Sequence, residues 1–306
     1  MDKLRQVLLI VFAVLAIALS ISYRSGHVVP DDFFDARRAT ADIDPQGWKR
    51  LDTDDWLQLA NQARQENQLD QAQTFTQQAL ASNLGSGEAM VQLALLLLHQ
   101  GKQEQAIQLA ELADKLATAQ NSTHTYLSAF WSRTKQLDKL LDEWNVLLTR
   151  DTSISQSLYP QLQQLTVATP ENTPLLDKFA KNPPTWWGSF FNFLVRDEKT
   201  PSALLSHLYE LRLHSSQPID SKEMTPYVSR LIKEQQWTEA HAVWLAGLPP
   251  EDETFKGLVY DGGFEGDMHN TGFDWFFGSH PQIDIQQELT FGMEGHRALN
   301  VKLSGP

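Results

Sequence analysis

The sequence predicts a mainly helical protein, built from repeated helical pairs that follow one amino-terminal apolar helix, with a short antiparallel β segment at its carboxyl end. Three observations carry this. Displaced by 34 residues the chain falls on itself, so that Leu59, Ala60, Ala72 and Ala79 meet Leu93, Ala94, Ala106 and Ala113. The run Val7 to Ile21 is apolar but for Ser20. Beyond Phe255, helical periodicity gives way to an alternation of period two, the mark of a half-buried strand.

At the amino end, no charged residue occurs from Gln6 to Tyr23. Eighteen residues at the helical rise reach about 27 Å, close to the hydrocarbon thickness of a bilayer. Residues 1–25 are therefore expected to be a transmembrane anchor or a signal segment. Ala18-Leu19-Ser20 is a tolerable cleavage site behind a basic amino end, so secretion after cleavage is the alternative. Lys3 and Arg5 precede the run, and Asp31, Asp32 and Asp35 follow it. The positive-inside rule then puts the bulk of the chain outside the cytoplasm, as a single-pass inner-membrane protein facing the periplasm. Arg37 and Arg38 lie near enough to weigh against that orientation. Residues 26–54, polar and carrying Pro30 and Pro45, read as a linker.

Helical repeats are expected over 55–150. In the first, Trp56, Leu59, Ala60, Ala63, Leu69, Ala72, Ala79 and Leu80 set large and small residues at helical spacing, and Asn83 to Gly87 makes the turn. Met90, Leu93, Ala94, Leu97, Gly101, Ala106 and Ala113 repeat the set. Small residues at fixed places let two antiparallel helices approach closely, and such a pair buries its apolar face only by stacking on a neighbour. Over residues 55–117 the pattern resembles the tetratricopeptide repeat family. The resemblance implies a surface that holds a protein partner, with the Trp, Leu and Ala positions serving packing. A third unit keeps the offset through Leu127, Ser128, Trp131, Leu137, Leu140 and Leu147 while losing the small-residue code.

From 151 to 250 further helical hairpins are expected, irregular at first because Pro160, Pro170, Pro174, Pro183 and Pro184 interrupt the pattern. Ser202 to His214 reads as one amphipathic helix, and Met224 to Leu248 as a pair in which Trp237, Ala240 and Trp244 are spaced to stack. Trp186 and Trp187, with Phe190, Phe191 and Phe193, form the densest aromatic cluster. Two readings stand: ligand or interface aromatics, or a hydrophobic plug closing the helical array.

In the β segment, 255–306, Ile283, Ile285, Leu289 and Phe291 alternate with Asp284, Gln286, Glu288 and Thr290, and Leu299, Val301 and Leu303 alternate with Asn300 and Lys302. About four strands are expected. Leu258 to Glu265, Gly272 to Trp275 and Gly295 to Leu299 resemble the opening of jelly-roll carbohydrate-binding modules, with Asp261 where those have Asn. That resemblance implies a β-sandwich that engages polysaccharide, a packing role for Trp275, and a structural calcium held partly by Glu265. A jelly roll takes about eight strands, so the segment reads as incomplete and continuing beyond Pro306. A smaller sheet leaning on the helices is the other reading.

Composition excludes several classes. The chain has 25 Lys and Arg against 38 Asp and Glu, a net charge of −13 with no basic stripe, which opposes a nucleic-acid partner. It has no cysteine, so thiol chemistry is absent. No phosphate loop or nucleophile elbow occurs. His269, His280 and His296 are spaced too irregularly for zinc. Asp261, Glu265, Asp267, Asp274 and Glu294 are the carboxylates from which a glycosidase would draw its pair. The glutamines at 62, 65, 73 and 77 read as solvated helix surface or as the lining of a peptide groove. The expectation is a non-enzymatic scaffold, anchored in the membrane and facing the envelope, that binds a protein partner. The anchor, repeats and sugar-module-like end are similar to proteins of bacterial exopolysaccharide clusters. A pure assembly factor without sugar binding and a glycan-processing enzyme are the competing readings.

Overall fold

The computed structural model describes residues 28–30, 48–116, 118–167, 169–248, 250–257, 259–268, 270–278, 280–290 and 295–304. The expected anchor, 1–25, lies outside them, and no described helix is long and apolar enough to cross a membrane. The protein is mainly helical, with a small two-stranded antiparallel sheet near its carboxyl end. Two compact units meet in the chain at residues 151 and 152.

The first unit begins with β1 (Val28–Pro30) and β2 (Trp48–Arg50), which pair antiparallel with Val28 opposite Arg50 inside the stretch read as linker. Three helical hairpins follow: α1 (Thr53–Gln65) with α2 (Leu69–Ser82), α3 (Gly87–His99) with α4 (Gln103–Leu116), and α5 (Asn121–Arg133) with α6 (Leu137–Arg150). Helices open at 53, 87 and 121 and again at 69, 103 and 137, so the 34-residue offset is the spacing of the hairpins themselves. Local chemistry explains the boundaries. Asp52 caps α1, taking the Asp55 N–H at 2.9 Å while Asp55 reaches back to the Asp52 N–H, a capping box. Ser86 caps α3. Asp70, Glu104 and Asp138, also 34 apart, lie in the first turns of α2, α4 and α6, where the helix dipole favours negative charge.

Each hairpin turns in the same way. Asn67, Gly101 and Lys135 adopt positive φ, and the following N–H groups of Gln68, Lys102 and Gln136 bond to the carbonyls of Ala63, Leu97 and Trp131 at 2.7, 2.9 and 3.0 Å. The small residues sit where helices touch. Ala60, Ala72, Ala79, Ala94, Ala106 and Ala113 are all buried, and Leu59, Leu93 and Leu127 are buried beside them. Helix α3 is buried without a break from Ala89 to Leu97, because it packs on both α2 and α5 as well as on its own partner.

The second unit holds α7 (Ser155–Thr166), α8 (Asp177–Lys181), α9 (Trp187–Arg196), α10 (Ser202–Leu213), α11 (Ser221–Lys233) and α12 (Trp237–Ala246). Pro160 lies inside α7 rather than ending it, whereas Pro170 and Pro174 fall in a 3-10 turn, Pro170–Leu176. A missing N–H and a fixed φ leave that stretch too tight for an α-helix. Of the three residues spaced to stack in the last pair, Ala240 and Trp244 are buried, but Trp237 is 54 % exposed. It stands at the first position of α12, before the helix reaches its neighbour. Gln77, expected on a solvated face, is buried as well.

The β segment forms β3 (Ile283–Leu289) and β4 (Arg297–Leu303), paired in register with Ile283 opposite Leu303. Of the roughly four strands expected, these two form among the described residues, and Val259 to Gly263 makes bends and turns. The alternating face is open: Leu289 and Leu303 are 72 and 74 % exposed, because no second sheet among the described residues covers it. The preceding loop leans on α12, where Trp244 meets Tyr260 edge-on at 4.6 Å and Phe273 at 5.7 Å. Gly272 has positive φ and lies against the Trp244 indole, leaving no room for a side chain.

Candidate functional site

The residues expected to pack the repeats are all interior. Trp56, Leu59, Ala60, Ala72, Ala79, Leu93, Ala94, Ala106 and Ala113 contribute buried surface, which leaves recognition to what the helices expose. One exposed row has the repeat's own spacing. Gln65, His99 and Arg133 occupy the last turns of α1, α3 and α5, 34 residues apart. On the same helices Tyr126 of α5 donates from its hydroxyl to Asn61 Oδ1 of α1 at 3.3 Å, and Arg64 donates to that oxygen at 2.8 Å. The first and third hairpins are thus tied through their leading helices, and side chains of α1 and α5 share one face.

Trp186 and Trp187 are 3 and 1 % exposed. Trp186 meets Phe179 and Phe190 edge-on at 5.2 and 5.9 Å, and Trp187 stacks on Phe191 at 6.3 Å. Tyr159, Phe193, Tyr209 and Tyr227 extend the cluster, and burial pushes the Tyr209 hydroxyl up to about 12. Neither indole face is open, so neither ring is a stacking platform for a ligand in this structure. The surroundings of both are those of an aromatic core.

One edge of Trp187 borders a cleft of about 440 Å³ shared with Pro183, Pro184, Pro218 and Lys222. Its floor is a buried ion pair. Arg212 Nε donates to both oxygens of Glu223, at 3.1 and 2.9 Å, and Nη2 adds a third bond at 3.0 Å. Glu223 also accepts the Trp187 indole N–H at 2.9 Å and the Asp220 N–H at 3.2 Å. The remaining Arg212 donors take Ser215 Oγ and the carbonyls of Gln217 and Pro218. Every strong group on this floor is engaged within the protein, which makes the pair a staple for the loop from α10 to α11 rather than a receptor for an outside charge.

A second polar cluster lies in the first unit. His124, near the start of α5, is buried and places Nδ1 2.6 Å from Oε2 of Glu143, buried on α6. Nε2 of the same ring lies 3.1 Å from the Thr118 carbonyl, and Trp131 donates its indole N–H to Glu143 Oε1 at 3.2 Å. Burial raises the Glu143 carboxyl above its ordinary value and the nearby Asp114 adds to this, while the His124 hydrogen bond opposes both. Asp114, exposed in the last turn of α4, completes the group. A ligand-type atom from each of Asp114, His124 and Glu143 lies within 4.8 Å of the other two.

Sequence reasoning passed over these residues. The signal was nonetheless present in the offset: His124 falls where the other repeats carry Trp56 and Met90, Glu143 where they carry Phe75 and Leu109, and Asp114 where they carry Leu80 and Leu148.

Glu265, expected as a calcium ligand, accepts the backbone N–H groups of His296 and Arg297 at 2.8 and 3.1 Å. These bonds, that from Arg297 foremost, hold its carboxyl below its ordinary value. Among the described residues no trio of ligand-bearing side chains includes it. Asp261 accepts from the Glu265 and Gly266 N–H groups at 2.7 and 3.1 Å, and Asp267 pairs with Arg297 at 2.8 Å. The acidic loop is thereby pinned to β4. Trp275, half-buried, lies 4.9 Å from Phe264 and donates its indole N–H to the Asp261 carbonyl at 3.0 Å. Glu294 and His269 lie outside the described residues. No protein-family model matches the chain, and no curated protein matches it.

Proposed function

We propose that this protein is a membrane-anchored scaffold, facing the cell envelope, whose tetratricopeptide-like helical repeats bind a protein partner in polysaccharide synthesis or export. The observation that carries the reading is the match between offset and architecture. Three hairpins recur every 34 residues, the first two bury the small residues that recur with them, and the three leave Gln65, His99 and Arg133 exposed in one repeated position. Repeats of this kind present a surface whose chemistry is set by exposed side chains and not by a closed pocket. The uncharged amino-terminal run supports the anchor, and the resemblance of 258–299 to sugar-binding modules supports the polysaccharide setting.

A photo-crosslinker placed singly at Gln65, His99 and Arg133 in the native host tests the scaffold. Adducts with one common protein from these sites, and none from Glu104 on the second helix, are expected. No adduct at any of the three, or equal labelling from Glu104, refutes it. Protease added to intact and to permeabilised cells tests the orientation, since digestion before the envelope is opened or only after the cytoplasm is opened contradicts a periplasmic body. A pure assembly factor is the second reading, favoured by the engagement of Trp275 and the acidic loop within the protein. Polysaccharide retention by the full chain would exclude it.

A further inference from the structure

We propose that Asp114, His124 and Glu143 form a divalent transition-metal site, best suited to zinc, built where the second helical hairpin meets the third. The argument starts from proton placement. The Thr118 carbonyl can only accept, so the 3.1 Å contact assigns a proton to Nε2 of His124, and in the neutral ring this turns the Nδ1 lone pair toward Glu143. Oε2 of Glu143, an acceptor when ionised, lies 2.6 Å from Nδ1. Two lone pairs at this separation need a positive centre between them. A proton fills the place in the absence of metal, and a metal ion fills it when the two atoms part by somewhat under an ångström, given bond lengths of about 2.0 to 2.2 Å from zinc to imidazole nitrogen and to carboxylate oxygen.

The surroundings are those of a ligand set. A metal-binding imidazole ordinarily donates its other N–H to a carbonyl or carboxylate, and a bound carboxylate is itself hydrogen-bonded. Thr118 does the first for His124, and Trp131 does the second for Glu143 at 3.2 Å. The three side chains come from α4, α5 and α6, and Asp114, the exposed member, gives the ion a way in from solvent.

The repeat supplies an internal control. A hairpin that needs only packing fills the two facing places with apolar side chains, as Trp56 and Phe75 do in the first, stacked at 5.9 Å. The second uses Met90 and Leu109 there. The third puts an imidazole and a carboxylate in the same places, and the second puts Asp114 where the first and third carry Leu80 and Leu148. Each change is unfavourable for packing alone: two bury ionisable groups, and Asp114 sets negative charge in the last turn of a helix, against the dipole. All three converge on one point.

The test uses the purified, untagged full chain, titrated with zinc alone by calorimetry, and with cobalt to read coordination from its visible absorption. One equivalent of zinc is expected, with nitrogen and oxygen ligation of cobalt. His124→Gln is expected to weaken binding at least about 100-fold, and Asp114→Asn about 10-fold or more. Because a polar variant can fail to fold, the double change His124→Met with Glu143→Leu, which installs the side chains of the second hairpin, is expected to retain its helicity and lose the binding. Absence of one-to-one zinc binding by the unaltered chain overturns the proposal. So does equal affinity in the double variant, which would place the ion elsewhere.

Discussion

Replacing Glu223 by Gln isolates the largest electrostatic commitment in the second unit. The change preserves shape and removes the only carboxylate bonded to Arg212 among the described residues, the Arg212 side chain being 4 % exposed against 3 % for Glu223. One oxygen then remains for donors that now share two: Arg212 Nε and Nη2, the Trp187 indole and the Asp220 N–H. Breaking a buried pair from one side costs about 3 to 5 kcal/mol, because a charge stays behind without compensation. The carbonyls of Gln217 and Pro218 still solvate Arg212, which argues for about 3 kcal/mol. With a urea slope of about 2 kcal/mol/M, the unfolding midpoint should fall by about 1.5 M. Tryptophan fluorescence follows it, since Trp187 touches the altered group. Arg212→Met is expected to cost as much, and the double variant Arg212→Met with Glu223→Met no more than either alone, since it leaves no buried charge. A cost below about 1 kcal/mol for Glu223→Gln, with single effects that simply add, would show that water screens the pair and refute the staple.

Three further outcomes follow from the packing and the turns. Phe190→Ala empties a fully buried place bounded by Tyr159, Trp186, Trp187 and Phe193, and calorimetry should record a loss of about 3 to 5 kcal/mol. Lys135→Gly should raise the melting temperature, because Lys135 holds the positive φ that Gly101 holds in the preceding hairpin; the gain is at most about 1 kcal/mol, since glycine also loosens the unfolded chain. Glu265, whose folded value lies below its ordinary one, contributes stability that is fully present above the ordinary glutamate value and lost as pH falls through the lower folded value. The amide signals of His296 and Arg297 followed through an acid titration should report that loss, and Glu265→Gln should remove the acid dependence; unchanged amides at low pH would contradict it.

The hairpin boundaries of the first unit were legible because each repeat must solve one steric problem at the same places, and Ala60, Ala94, Ala106 and Ala113 are its visible solution. From Ser155 onward helix starts keep nearly the same rhythm, at 155, 187 and 221, but the residues do not repeat. Complementary size can be met by many pairs of side chains, so the architecture persists where the text does not. Proline misled in part: Pro160 is tolerated within α7, while Pro170 and Pro174 interrupt the pattern as expected and turn the segment before α8 into a 3-10 turn. Alternation found β3 and β4 but said nothing of what covers them, since a period of two reports which side chains share a face and not whether that face meets anything.

The sequence by itself determined the period, the small residues that allow helices to touch, the turns, and the strand pairing near the carboxyl end, because each follows from interactions within a few residues or from a regular offset. Only the tertiary structure decided that Trp186 and Trp187 are core, that Glu265 serves the backbone of β4, and that Asp114, His124 and Glu143 meet. Those facts depend on which surfaces different helices bring together, and burial and proximity between distant residues are properties of packing that no local pattern encodes.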